Sequence, residues 1–235
     1  MEFIYNYIWE KNSRTKNEDA LSLLHVIKEK REYLLAVVCD GIGGLSEGEN
    51  ASSFVADSLG KELLRLLEAN KSISMVKWRN AFLRKIYKCH HMLEAYGKER
   101  GIRLGTTVSV VFLRGNRGWI FHVGDSAIFI GRRKLRRRTG IHRTKKGALR
   151  GAVGPGKISK IECKRIGVNR GTVILLSGDG FYQRVEKELV TERVAGLRNK
   201  ACNETDIGIW LRNKYRMGVQ RGEKDNSSAI CVVCR

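Results

Sequence analysis

Residues 34–44 read LLAVVCDGIGG: six apolar residues, then a carboxylate, then three glycines within four positions. The apolar, partly β-branched run suits a buried strand, and Asp-Gly is a common way for a chain to leave one. Alone, such a pair is an ordinary turn. Here the arrangement recurs. Asp125 in FHVGDSA, Asp179 in LLSGDGF and Asp225 in GEKDNSSAICVV also sit where an apolar run meets a glycine-containing or polar turn. Glu18 and Asp19, in SRTKNEDAL, stand just before a possible strand. The pattern predicts strands whose ends share one acidic cluster. Gathered carboxylates repel one another and are costly to hold ionised unless cations neutralise them, and oxygen ligands suit the hard ions Mg²⁺ and Mn²⁺. Glycines after Asp40 would let the backbone turn sharply and bring a carbonyl oxygen close to an ion.

Working outward, further strand-like runs lie at Thr106–Leu113, Gly118–Val123, Ala127–Ile130, Thr172–Leu176 and Ala229–Val233. Two longer stretches carry helical spacing instead. Ala51, Val55, Leu59, Leu63 and Leu66 mark the first, and Met75, Trp78, Phe82, Ile86 and Leu93 the second. Shorter helices fit Glu186–Ala195 and Thr205–Tyr215, the latter after a cap at Asn203. Strands, two long helices, strands, short helices and a final strand favour antiparallel sheets with helices packed outside. No repeat or Pro/Ser-rich linker interrupts the 235 residues, so one domain spanning 1–235 is expected.

Hydrophobic residues make up 42% of the chain with no long apolar run, and the N-terminus lacks signal-peptide features, which predicts a soluble cytoplasmic protein. The six cysteines then read as reduced thiols. Cys231 and Cys234, inside the strand-like AICVVC, read as small hydrophobes, since no second pair stands at zinc spacing. The net charge of +21 is unusual. Ten of the twenty residues in GRRKLRRRTGIHRTKKGALR, 131–150, are Lys or Arg and none is acidic. The segment reads equally as a solvated loop and as a binding patch, with Arg132, Arg133, Arg136, Arg137 and Arg138 as its candidate electrostatic surface. It lacks interleaved aromatics, and no helix-turn-helix, zinc-finger or RNA-recognition motif accompanies it, so nucleic acid is not the expected partner.

In order and approximate spacing, NEDA (17–20), DGIGG (40–44), GTTVSVV (105–111), VGDS (123–126), GDGF (178–181) and DNSSAI (225–230) resemble the motifs of the metal-dependent PP2C (PPM) protein phosphatases, in a compact bacterial form. The resemblance implies an α+β fold, a four-layer α-β-β-α sandwich of two antiparallel sheets flanked by helices. It also implies hydrolysis of phosphoserine and phosphothreonine with two Mn²⁺ or Mg²⁺ ions. By motif, Asp40 would bridge the ions, with Glu18 and the Gly41 carbonyl on one and Asp179 and Asp225 on the other. Asp19 would act through bound water, and Asp125 with Asp179 could hold a third ion. Arg14, in the R-x-x-x-E-D arrangement, would grip the substrate phosphate. The stretch 131–156 takes the place of the family's substrate-side flap, with ALRGAVG resembling L-T-R-A-L-G. The chain departs from the family at Ala127, at Gly178 and at Ile42, where some relatives carry a histidine that can serve as general acid. The expected partners are phosphoproteins and a cognate Ser/Thr kinase, and the expected state is a monomer. A degenerate phosphatase, or a basic module docking on acidic partners or nucleic acid, is the competing reading; retention of Glu18, Asp40, Asp179 and Asp225 favours activity. His90, His91 and His122 read as structural, as do Trp78, Trp119 and Trp210, and His142 could meet substrate.

Overall fold

The computed structural model describes residues 1–69, 73–142, 149, 151–158 and 160–235. Of the basic segment, residues 143–148 and 150 lie outside the described residues.

Among the described residues, ten strands form two five-stranded sheets in which every pairing is antiparallel. One sheet runs β2 (Asp19–Lys28), β3 (Arg31–Asp40), β4 (Val108–Arg114), β5 (Arg117–Val123) and β8 (Glu162–Gly167). The other runs β1 (Phe3–Glu10), β10 (Ser227–Cys234), β9 (Val173–Ser177), β6 (Ala127–Gly131) and β7 (Arg136–Arg137).

The alternation of side chains along a strand explains the layering. In β3, Leu35, Val37 and Cys39 pack with α1 (Gly48–Glu68) and α2 (Met75–Arg100), while Leu34, Ala36 and Val38 face the other sheet. In β10, Ala229, Cys231 and Val233 meet residues of α3 (Asp179–Tyr182), α4 (Glu186–Thr191) and α5 (Glu204–Gln220), whereas Ile230, Val232 and Cys234 face β3 and β4. Both central strands are apolar on both faces because both faces are covered. The result is the expected four-layer α-β-β-α sandwich. Cys231 and Cys234 are buried on opposite faces, as a spacing of three in a strand requires, so they cannot ligate one ion together.

The long helices match the predicted spacing, and Asn203 caps α5 with a reciprocal Asp206 contact. The expected helix over Glu186–Ala195 is shorter, ending at Thr191. Beyond it, the Val194 amide donates to the Arg133 carbonyl at 2.9 Å, a tertiary bond that takes the chain out of helical register. No helix of the described residues is long and apolar enough to cross a membrane.

Candidate active site

Strand register gathers the acids at one end of the sandwich. Asp19 opens β2 and pairs with Asp40, which closes β3. Ser177, closing β9, pairs with both Ala127 and Ala229, so the turns carrying Asp125, Asp179 and Asp225 are brought side by side. A cleft of about 410 Å³ results, lined by Glu18, Asp40, Asp125, Asp179, Asp225 and Arg14 among others. Among the described residues, five carboxylates thus face one guanidinium.

Glycines let these groups close together. A Cβ on Gly178 would lie 3.2 Å from Asp40 Oδ2 and 3.4 Å from Asp19 Oδ2, so both carboxylates converge on that backbone. The Asp179 amide donates to Asp40 Oδ2 at 3.3 Å. At Gly41 a Cβ would meet the Glu18 carbonyl oxygen at 2.5 Å and the Gly48 carbonyl at 2.8 Å. No side chain fits there, which accounts for the glycine after Asp40.

The scaffold behind the acids is hydrogen-bonded. Thr106 Oγ1 and the Thr107 amide both donate to the Asp40 carbonyl, at 2.9 and 2.8 Å. Asn226 accepts from the Glu18 amide and donates to the Lys11 and Lys16 carbonyls, each at 2.9 Å, tying the Arg14 loop to the start of β10. Gln183 donates to Asp179 Oδ2 at 2.8 Å, one helical turn along. Asn226, Thr106, Thr107 and Gln183 have no titratable or ligand signature in the sequence. Only their adjacency to the acidic motifs points to them.

Burial makes the cluster electrostatically costly. Asp19 is 3% exposed and has no well-formed hydrogen bond at Oδ2, although the Ser228 hydroxyl lies near enough to favour its anion. Desolvation, with Asp179, Asp225 and Glu18 nearby, pushes the Asp19 carboxyl up to about 7. Asp40 is raised well above the usual carboxylate range by desolvation and by Asp19, Asp179 and Asp125. Glu18 is raised by desolvation and by Glu49. Arg14, half exposed at the rim, donates to Asp225 Oδ2 at 2.9 Å, and that contact raises its pKa. An all-oxygen donor set, partly buried and mutually repelling, fits hard divalent cations.

The carboxylates do not close into one tight cage. Among the described residues, only His90, His91 and Glu94 on α2 bring three ligand atoms within 4.8 Å of one another. There His90 Nδ1 accepts from the Gly154 amide at 3.1 Å, which serves packing. His122 is buried, bonded to Ser109 and facing the Gly124 and Gly140 carbonyls. His142 does not line the cleft. Its Nδ1 accepts from the Gly124 amide and its Nε2 pairs with Glu162, both at 3.1 Å, so it braces the turn before Asp125. Trp78 is in the core under α1 and α2 and Trp119 packs partly buried against it, while Trp210 packs partly buried against the core under α3–α5. Leu149 lines the cleft, and Val153 bridges to Thr106 behind it.

The sequence pattern of protein phosphatase 2C matches residues 11–211. No curated protein is matched by sequence. Among solved structures, the serine/threonine phosphatase Stp1 from Staphylococcus aureus superposes with a TM-score of 0.82 at 22% identity, covering 100% of this chain and 96% of that one. The S. agalactiae serine/threonine phosphatase gives 0.81 at 18%, with full coverage of both chains. The Mycobacterium tuberculosis phosphatase PstP/Ppp gives 0.72 at 17%, covering 99% of each.

Proposed function

The chain belongs to the protein phosphatase 2C family, a protein serine/threonine phosphatase by that membership, and from that premise we propose that its acidic cleft hydrolyses phosphoserine and phosphothreonine with two divalent cations, Mn²⁺ or Mg²⁺. Glu18, the Gly41 carbonyl and Asp40 would hold one ion, and Asp40, Asp179 and Asp225 the other. Asp19 lies behind Asp40 and would act through water, and Asp125 with Asp179 would take a third ion. When bound, such ions would lower the pKa of a coordinated water and stabilise charge on phosphoryl oxygens.

The chain's own residues divide the remaining work. Arg14 presents a planar fork suited to a phosphoryl group, and its bond to Asp225 holds it at the cleft rim. Tyr182 donates to the Asp125 carbonyl at 2.7 Å and so fixes the far wall. Ile42, where some relatives carry histidine, offers no proton, so protonation of the leaving serine or threonine oxygen would fall to water or to another residue.

The observation that carries this reading is the convergence of Asp19 and Asp40 on Gly178, with the Asp179 amide on Asp40. Such crowding is unfavourable without cations. The test is hydrolysis of p-nitrophenyl phosphate and a phosphothreonine peptide with Mn²⁺, Mg²⁺ or EDTA. Turnover confined to the metal-containing samples is expected. Turnover in EDTA, or none under any condition, would contradict the reading.

A further inference from the structure

We propose that a second anion site lies between the β6–β7 hairpin and the chain after α4, and that it takes a phosphoryl group carried elsewhere on a phosphoprotein substrate. This rests on the phosphatase reading above. The cavity, about 630 Å³, is lined by Arg132, Arg133, Lys134, Arg136 and Arg193, and by no carboxylate or aromatic residue.

The frame is built rather than loose. Gly131 turns so tightly that a Cβ would lie 1.8 Å from the Lys134 carbonyl oxygen. The Val194 amide bonds the Arg133 carbonyl, which brings Arg193 against the hairpin. Leu135 and Val194 are buried beneath the charges, at 1% and 4% exposure.

Among the described residues, the acids nearest these cations are engaged elsewhere. On the neighbouring helix and just after it, Glu186 pairs with Arg137 at 3.1 Å, Glu188 with Arg221 at 2.8 Å, and Glu192 with Lys214. No ion pair among the described residues engages the five, and the residues outside that set include no Asp or Glu. Arg137, which the sequence groups with them, is spent on Glu186 and on Tyr182, at 3.1 and 3.0 Å. Several guanidinium forks around one concavity match a phosphoryl dianion.

The placement sets a spacing. β6 runs away from the acidic cleft, so Gly131 stands six residues beyond Asp125, about 20 Å along a strand. An extended substrate would span that gap with about six to eight residues. Nucleic acid fits less well, because the cations are confined to one cavity and no ring lines it for base stacking.

The test compares a singly phosphorylated threonine peptide with the same peptide carrying a second phosphoserine eight residues away. With Mn²⁺, the second phosphate should lower KM about tenfold, the size of one charge-assisted contact. Arg132→Gln/Arg133→Gln/Arg193→Gln should abolish that advantage while turning over the singly phosphorylated peptide normally. The corresponding triple Lys variant should keep part of it. Binding to EDTA-treated protein, read by fluorescence anisotropy, should weaken about tenfold in the Gln variant and fall with added salt. That measurement does not depend on turnover, so a protein inactive on every peptide would overturn the phosphatase reading without deciding this one. Equal KM values for the two peptides with unchanged binding in the Gln variant would overturn the second site. So would equal losses on both peptides, which would make the hairpin structural, or an oligonucleotide that outcompetes the phosphopeptide for the same arginines.

Discussion

Strand β6 joins two charged regions of opposite sign that are built in opposite ways. At its start, carboxylates are partly or fully withdrawn from water and crowd together, and burial raises the pKa values of Asp19 and Asp40. At its end, arginines stand exposed around an open cavity with their charges in solvent. Buried like charges are destabilising until a counter-ion arrives, whereas exposed ones cost little and are screened by salt. On these grounds the acidic end suits a resident cation and the basic end a transient anion.

The sharpest way to break this contrast is to remove a ligand from the acidic end. Asp179→Asn and Asp225→Ala should each reduce turnover about a thousandfold or more, because the several kcal/mol of charge stabilisation supplied at the cleft would be lost. Near-normal turnover by either folded variant at saturating Mn²⁺ would remove it from the ligand set. Arg14→Ala should have a smaller effect, raising KM for a phosphopeptide about tenfold, with Arg14→Lys restoring only part. If KM and kcat/KM both stayed the same, Arg14 would not touch the phosphate.

A third test uses stability without metal. An Asp held near 7 when folded, against about 3.9 when unfolded, binds more protons in the native state between those values. Stability is therefore complete below about pH 4 and is lost as pH rises toward 7. Asp19→Asn should raise the melting temperature of EDTA-treated protein at pH 8 by several degrees, roughly, have a smaller effect at pH 5, and do little at pH 4. An equal effect at pH 8 and pH 4 would mean that packing, not charge, dominates there. Smallest of all, Arg132→Gln and Arg133→Gln should move the melting temperature by less than about 2 °C, with or without Mn²⁺. A larger loss would show that the basic end is not the low-cost surface described.

Much of the architecture was legible because central strands covered on both faces read as continuous apolar runs, as Leu34–Cys39 and Ala229–Val233 do. Edge strands were harder. β1 exposes Tyr7 and Trp9, and β8 mixes Cys163 with Lys164 and Arg165, so neither shows a clean period. β7 contains only Arg136 and Arg137 and exists through its pairing with β6. The cluster of acids was readable from their repeated position at strand ends, and the Asp19–Asp40 register brings two of them together. Their supports were not. Asn226 joins segments more than 200 residues apart in sequence, a relation no local pattern records. The division of the arginines was also hidden, since Arg136 and Arg137 are neighbours in sequence yet one lines the cavity and the other braces Tyr182.

Crowded carboxylates that need divalent cations should bind them with or without substrate, and titration calorimetry of metal-free protein with Mn²⁺ tests this without reference to turnover. At least two ions should bind per chain, releasing protons as Asp19 and Asp40 ionise, and Asp40→Asn should weaken both. Binding left intact by Asp40→Asn but abolished by His90→Ala would place the metal on α2 and contradict the account, as would the absence of any binding.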